Sequence, residues 1–575
     1  MSIESLSVDR SASSEPTLTP VLSSRWAFTW QHLATTFAFA ALFVFLNHLP
    51  LRPTDLWSHV VYGDRIVAER AIPTVDPLLP LAEGMRVVDL SWLAQVVFSQ
   101  TFRFGGAEAL VSLFTVVVWL SYVVLGRTCF LATKNLAVST LLTGLALNVG
   151  WNRLTTIRPE NFALLLFAVL LWLLTAHRLR RDDSILVDDR RGEWKLWLGI
   201  PLIFVLWANL HGSFFCGLAV TACFLGGRVL EVAWHERSLR AVLTDREARR
   251  RLYWLELAAA ATLVNPYGID AWIEAFQFSS NPIVRDVVEW QPLVMIGVGG
   301  REFMLACVAL MFVLRHSRKP VAPTDVLLLG LFGLLAAMQV RMTGWFAFVW
   351  AVAIAPHLAD VVSRAFAAGD VDGVAAAGAS SDGETPTDDD ANDLLMPADG
   401  RSYRYTLACA GVLWIAFAFT TFARPLLGGE PRSAESLYGP QTPLRLTAWL
   451  NKNPPVGQVY NPQYWGDWLG WAGPQSLQLF ANTHVHLMPR GAWADYRRIS
   501  DSDNGWEVAL ERHRVKTAIV DKVGQSALAR AIRLSSDWVP AYEDEQALVL
   551  RRRAPTAAAT KPEPSKSPAP ATCTH

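Results

Sequence analysis

Apolar residues in this chain gather into long, nearly uncharged runs instead of the one-sided patterns of soluble helices and strands. The first reaches from Trp26 to Leu49, enough to span a bilayer as a helix. Further runs lie near 107–126, 135–150, 161–176, 196–208, 214–233, 253–264, 303–314, 324–340, 344–362 and 405–423, predicting about eleven crossings in all. Ser91 to Phe104 is too short and too two-sided to span, and is expected to lie along the membrane surface. Residues 1–25 are polar and mixed in charge, unlike a cleaved signal, and read as a disordered amino terminus before a retained first helix.

Beyond residue 423 the pattern changes. Leu444–Leu450, Gly457–Tyr460, Leu477–Phe480, Trp506–Arg512, Lys516–Asp521, Ala527–Ile532 and Gln546–Leu550 alternate helix-like and strand-like patterns, so residues 430–553 are expected to form a small α/β domain. Residues 363–404, rich in Ala, Gly, Ser, Thr and Asp, read as a disordered loop, and 554–575 as a disordered tail. The predicted fold class is mainly α, with a transmembrane helical domain over 26–423 followed by the α/β domain.

Charge placement gives these segments a direction. Arg178, Arg180, Arg181, Arg190, Arg191 and Lys195 crowd one loop, and Arg237, Arg240, Arg246, Arg249, Arg250 and Arg251 another. Positive charge resists translocation, so both loops are expected to be cytoplasmic. Arg127 with Lys134, and Arg315 with Arg318 and Lys319, fall on the same side when each run is one crossing. The expectation is a multi-pass protein of the cytoplasmic membrane. Its amino terminus and the 363–404 loop lie inside; the first loop, 51–104, and the α/β domain lie outside. Composition agrees with a lipid environment: 52% hydrophobic and 18% charged residues, with a mean hydropathy of +0.25. The 51 basic residues match the 51 acidic ones, which gives no support to a nucleic-acid partner. Six cysteines without paired spacing argue against a disulfide framework or zinc site.

On this topology the polar residues at membrane edges fall mostly outside. Asp55, Trp57 and His59 follow the first run; Arg158 and Glu160 open the fourth; Asn209 and His211 follow the fifth. Asn265, Tyr267 and Asp270 follow the seventh, Glu289 and Trp290 precede the eighth, and Arg341 follows the ninth. Each has an ordinary reading as well. Asp55 suits a helix cap or turn after Pro53, and His211 next to Gly212 suits a bond to a loop carbonyl. Asn265-Pro266-Tyr267-Gly268 is a turn sequence, and the arginines could be interfacial anchors. What those readings explain poorly is the gathering of all of them on one face. A carboxylate that accepts a hydroxyl proton, with arginines that hold phosphate oxygens, suits group transfer from an anionic lipid carrier. No Gly-rich nucleotide loop, HExxH or GxSxG element is present.

The first loop resembles that of bacterial GT-C-type integral membrane glycosyltransferase-like proteins. It carries Asp55-Leu56-Trp57-Ser58-His59, Gly63, Ile72-Pro73-Thr74-Val75-Asp76-Pro77 and Ser91-Trp92-Leu93-Ala94-Gln95. Ser58 stands where that family has a second tryptophan. Arg158-Pro159, Trp207-Ala208-Asn209-Leu210-His211-Gly212, Asn265-Pro266-Tyr267-Gly268, Glu289-Trp290 and Trp465-Gly466-Asp467-Trp468-Leu469 extend the likeness in the same order. The resemblance implies a GT-C-like fold and transfer of sugar from a polyprenyl-phosphate donor to a cell-envelope acceptor, whether glycan, lipid or protein. By that likeness Asp55 is the expected acceptor-activating base and Asp76 the second candidate. Placement and charge make Arg158, His211 and Arg341 candidates for the donor phosphate, and Trp57, His59, Asn209, Tyr267 and Glu289 complete the expected substrate site.

The expected partners are the lipid-linked donor, membrane lipids and the acceptor. No cofactor is expected; a divalent metal on Asp55 and His59, which at i and i+4 share one helical face, is the weaker alternative because two ligands are a weak signal. The other class of function that suits the pattern is a non-catalytic scaffold presenting the α/β domain. There, His484 and His486 read as a solvated pair or metal ligands, and Trp465, Trp468 and Trp471 as a packing stripe facing the membrane domain.

Overall fold

The computed structural model describes residues 26–82, 84–151, 155–183, 193–297, 299–377 and 401–553. The predicted disordered amino terminus and tail, and residues 378–400 of the predicted loop, lie outside the described residues. The earlier part of that loop is helical, because the last helix before it runs on to Ala377. Its sequence there holds Ala365, Ala367, Ala368 and Ala375 to Ala377, the best helix former.

The helical part consists of α1 (Trp30–Asn47), α2 (Leu56–Glu69), α3 (Trp92–Thr133), α4 (Leu136–Gly150), α5 (Glu160–Asp183), α6 (Trp194–Leu210) and α7 (Phe214–Glu236). It continues through α8 (Leu239–Thr244), α9 (Arg246–Ala261), α10 (Asp270–Ser280), α11 (Pro282–Arg285), α12 (Gly300–His316), α13 (Pro323–Met338), α14 (Thr343–Ala377) and α15 (Tyr403–Ala418). Among the described residues four helical segments are long and apolar enough to cross a membrane: Trp92–Thr133, Glu160–Arg181, Phe214–Glu236 and Val340–Phe366. Leu136–Gly150, Trp194–Leu210, Pro323–Met338 and Tyr403–Ala418 are shorter apolar helices. The expected surface segment and the run after it are joined in α3, which breaks at Gly105 and Gly106. Gly106 has φ 65°, where a side chain would be strained, so the glycine pair sets the change of direction.

Successive long helices present alternate ends to one end of the bundle. The carboxyl end of α1 meets that of α15 where Asn47 accepts the Thr421 amide at 2.6 Å, and that of α4 where Phe45 packs on Trp151. The opposite end is tied by Arg178 of α5 on Asp325 of α13 at 2.8 Å, and by Arg228 of α7 on Asp245 before α9 at 2.8 Å.

After α15 the chain enters the carboxy-terminal domain through α16 (Ala423–Leu426), α17 (Ala434–Tyr438) and α18 (Leu444–Lys452). The domain's five-stranded sheet has the order β2-β1-β3-β5-β4. Its strands are β1 (Gln458–Tyr460), β2 (Gln478–Leu479), β3 (Thr517–Asp521), β4 (Trp538–Glu543) and β5 (Ala547–Arg552). β1 pairs in parallel with β2 and β3, while β5 runs antiparallel to β3 and β4. The remaining helices are α19 (Gln463–Ala472), α20 (Arg490–Ser500), α21 (Trp506–Arg512) and α22 (Ser526–Leu534). α19 links the parallel pair β1 and β2, and it packs directly on α2 of the first loop.

Aromatic rings make that seam. Trp57, wholly buried, stacks on Trp471 at 4.2 Å and meets Trp468 at 5.1 Å, Tyr438 at 5.7 Å and Phe102 at 6.3 Å. Large rings carry much of the apolar area that can be removed from water, so this contact holds the domain on the first loop. The helical spacing of Trp468 and Trp471 serves packing toward the membrane domain.

Candidate functional site

Beside the aromatic seam lies a polar cluster drawn from the first loop, the starts and ends of several long helices, and the loop after β2. Asp55 stands at the position that would cap α2, but its side chain makes no capping bond. Its Oδ1 instead accepts from Nε of Arg158 at 3.1 Å, and Nη1 of Arg158 donates to Glu289 at 2.6 Å. Arg158 is fixed locally by Asn161, whose Oδ1 accepts its backbone amide at 2.7 Å. The three charged side chains keep between 21% and 25% of their exposure, so they are shielded but reachable. The guanidinium is held well above the usual arginine range, since the fields of Asp55 and Glu289 outweigh the cost of burial.

Arg341 belongs to the same network by another route. It lies 3.6 Å from Glu160 and its guanidinium stands 4.2 Å over the ring of Trp290, the neighbour of Glu289. Thus Asp55, Arg158, Glu160, Glu289 and Arg341, contributed by separate segments, form one chain of charges.

A second branch starts at His59, one turn along α2 from Asp55. Its Nδ1 is 3.3 Å from Gln95 Nε2, which donates to Asp89 at 3.0 Å. Burial pushes His59 down to about 4 against the pull of Asp55, and His484, His211 and Arg158 add to the lowering. His59 therefore stays neutral near pH 7 and faces both His211 and Arg158 electrostatically. His211 itself turns its Nδ1 to the Ser213 hydroxyl at 2.8 Å and accepts the Ser213 amide at 3.1 Å, which ties it into its own loop.

The third branch crosses between domains. Nδ1 of His484, in the loop after β2, is 2.9 Å from Oδ2 of Asp76 and 3.4 Å from the hydroxyl of Tyr62. Asp76 is fully covered, and its Oδ1 also accepts the amides of Leu78 and Leu79 at 2.7 and 3.0 Å. Burial alone would lower His484, but its bond to Asp76 and the fields of Asp76, Asp467 and Asp89 raise it to about 9. In return Asp76 is lowered: burial opposes its charge, and the bond and charge of His484, the Leu78 amide and the Tyr62 hydroxyl together outweigh that cost. Burial pushes both Asp89 and Asp467 up to about 6, partly offset at Asp89 by the Ser91 amide and at Asp467 by His484.

The remaining expected residues sit around these branches. Asn209 accepts from the Trp92 indole at 3.0 Å and donates to Val205 and Val264 at 2.8 Å each, joining the ends of α3, α6 and α9. The Tyr267 hydroxyl accepts the Asp89 amide at 3.1 Å. Asn265 shapes the turn around Gly268, accepting the Tyr267 amide at 2.7 Å. Trp57 is covered by protein on the far side of α2, apart from the charged chain.

Asp89, Asp467, Gln95 and Tyr62 were not singled out as site residues from the sequence. Asp467 carried a signal, being an acid inside the apolar stretch Trp465 to Leu469. His484 and His486 are not a solvated pair: they flank and enter the 3₁₀ turn Val485–Leu487, and His484, largely covered, reaches Asp76. Among the described residues no group of three or more His, Cys, Asp or Glu side chains is placed to hold a metal ion.

No protein-family model and no curated protein matches the chain. Among solved structures it is similar to a single-particle cryo-EM structure of the arabinofuranosyltransferase AftD from Mycobacteria, with 15% identity and a TM-score of 0.47. The match covers 93% of this chain and 40% of that one, so the chain spans less than half the length of that protein.

Proposed function

We propose that this chain is a GT-C-like membrane glycosyltransferase that moves a sugar from a polyprenyl-phosphate donor to a cell-envelope acceptor on the non-cytoplasmic face. The observation that carries the reading is the Asp55–Arg158–Glu289 chain, with Asp55 left out of helix capping and only partly covered. In this reading Oδ2 of Asp55, opposite the oxygen bound by Arg158, takes the proton of the acceptor hydroxyl as that oxygen attacks the anomeric carbon. The carbon–oxygen bond to the carrier breaks, and the leaving phosphate collects its negative charge beside Arg158 and Arg341. Neutral His59 offers one ring nitrogen to substrate, and Asp76 acts indirectly by fixing His484.

Asp55→Asn suits a test because Arg158 keeps Glu289 as a counterion, so no uncompensated charge is created. Purified protein is given a panel of polyprenyl-phosphate-linked sugars, and release of polyprenyl phosphate is followed. Asp55→Asn is expected to fold normally and to lose about 10²- to 10⁴-fold in turnover. Native turnover in that variant would remove Asp55 from the mechanism.

A second reading, a non-catalytic scaffold, draws on the stacked seam between Trp57 and Trp471, which mounts the domain rigidly. A scaffold would keep its cellular phenotype in Asp55→Asn, whereas the enzyme would not.

A further inference from the structure

The end of the bundle opposite the charged site carries a turn whose side chains are presented, not packed. We propose that this turn, from the end of α7 through α8 to the start of α9, is a binding site for anionic phospholipid headgroups.

The arginines of this region divide into two sets. Arg228 is paired with Asp245 at 2.8 Å, Arg250 with Glu193 at 2.7 Å and Arg251 with buried Glu247 at 2.8 Å. Arg237, Arg240, Arg246 and Arg249 are all exposed and make no ion pair among the described residues. The first set builds the structure; the second is left for something outside it. Of the nearby acids, Asp245 and Glu231 are both occupied by Arg228, and exposed Glu236 offsets one of the four arginines, so the turn keeps a basic surplus.

Apolar side chains are presented with these arginines. α8 buries none of its residues; Leu239 and Leu243, one turn apart, are 78% and 74% exposed, and Trp234 before them is 84% exposed. Six helical residues cover only about 9 Å, far too short to cross a bilayer, so these leucines are not part of a spanning surface. Neither is the turn loose. Arg237 ends α7 in the left-handed region at φ 46°, and Asp245 caps α9 by accepting the Ala248 amide at 2.7 Å while Arg228 grips both its oxygens. A short helix is thus held in place while Leu239, Arg240 and Leu243 face away from the protein.

The occupant follows from position and chemistry. α7 is one of the helices long and apolar enough to cross a membrane, and this turn begins at its last residue, which sets it at headgroup depth. Guanidinium groups take phosphate oxygens as forked pairs, and leucines one turn apart reach the acyl boundary below. A soluble phosphate compound would engage the arginines and leave the leucines and Trp234 in water. An anionic phospholipid engages both. The inference stands apart from the proposed reaction, which occurs at the other end of the bundle.

The test uses full-length protein in detergent, titrated with phosphatidylglycerol or phosphatidylcholine and read by native mass spectrometry. Native protein is expected to retain phosphatidylglycerol about tenfold more tightly than phosphatidylcholine. The fourfold variant Arg237→Gln, Arg240→Gln, Arg246→Gln, Arg249→Gln is expected to bring the two lipids to parity, and excess inorganic phosphate should not displace the lipid. Equal retention of the two lipids by native protein, or an undiminished preference in the variant, overturns the proposal. So does full displacement by phosphate, which would assign the arginines to a soluble anion. If the fourfold variant does not fold, the exposed pair Arg240→Gln, Arg249→Gln is read in the same way: the preference falls or the proposal fails.

Discussion

His484 keeps a positive charge well above the pH at which a free histidine loses it, because Asp76 is bound to it and shielded from water. A histidine raised from 6.5 to about 9 contributes stability that is full below 6.5 and lost as pH rises through 9. Native protein should therefore unfold at higher temperature than His484→Gln near pH 6, and the gap should close between pH 6.5 and 9. A gap that is flat with pH would mean that the ring is held by shape and not by charge. Asp89 and Asp467 act in the opposite sense to an ordinary salt-bridged acid: raised from 3.8 to about 6, they contribute stability that is full below 3.8 and lost as pH rises to about 6. At this scale the sequence shows which polar residues are unusual but not their partners. Asp55, Arg158, Glu289 and Arg341 stand out as polar groups at the edges of apolar runs. The pairing of Asp76 with His484 joins positions 408 residues apart, and no local pattern encodes it.

Between α2 and α3 the fit depends on Gly63. A Cβ there would lie 2.1 Å from the Gln95 carbonyl oxygen and 2.7 Å from Ser99 Cβ, so Gly63→Ala must push the helices apart. It is expected to lower stability by about 1–3 kcal/mol and, by shifting Gln95 from His59, to alter any activity as well. Gly106→Ala meets no neighbour but keeps φ at 65°, so its cost of about 1 kcal/mol is backbone strain alone. Thermal unfolding of the two variants separates these causes: a compensating trim at Ser99 should recover part of the first loss and none of the second. In the carboxy-terminal domain the periodic segments mark where elements lie: Trp506–Arg512 coincides with α21, and Gly457–Tyr460, Leu477–Phe480, Lys516–Asp521 and Gln546–Leu550 overlap β1, β2, β3 and β5. β4 escapes because its middle residues are exposed and include Pro540, which leaves no alternation to detect. Ser91 to Phe104 reads as a separate surface piece; the structure keeps its helix but joins it to the next through Gly105 and Gly106.

Across the whole molecule, the parallel half of the sheet acts as a mount. α19 rests on α2, and the loop after β2 brings His484 to Asp76, so the carboxy-terminal domain closes the site that the helical part begins. Trp471→Ala removes the ring stacked on Trp57 and should cost about 3 kcal/mol at the seam. Limited trypsin digestion should then cut sooner at Arg65 or Arg70, in the first loop, while fragments of the long helices stay protected. The Asp76–His484 link also imposes a schedule on biosynthesis. Asp76 leaves the ribosome 408 residues before the histidine that neutralises it, an interval of about 20–80 s at ordinary elongation rates. Through that interval Asp76 lacks His484 and the ring of Trp57 lacks Trp468 and Trp471, so the first loop must wait for the carboxy-terminal domain with both groups uncovered on that side.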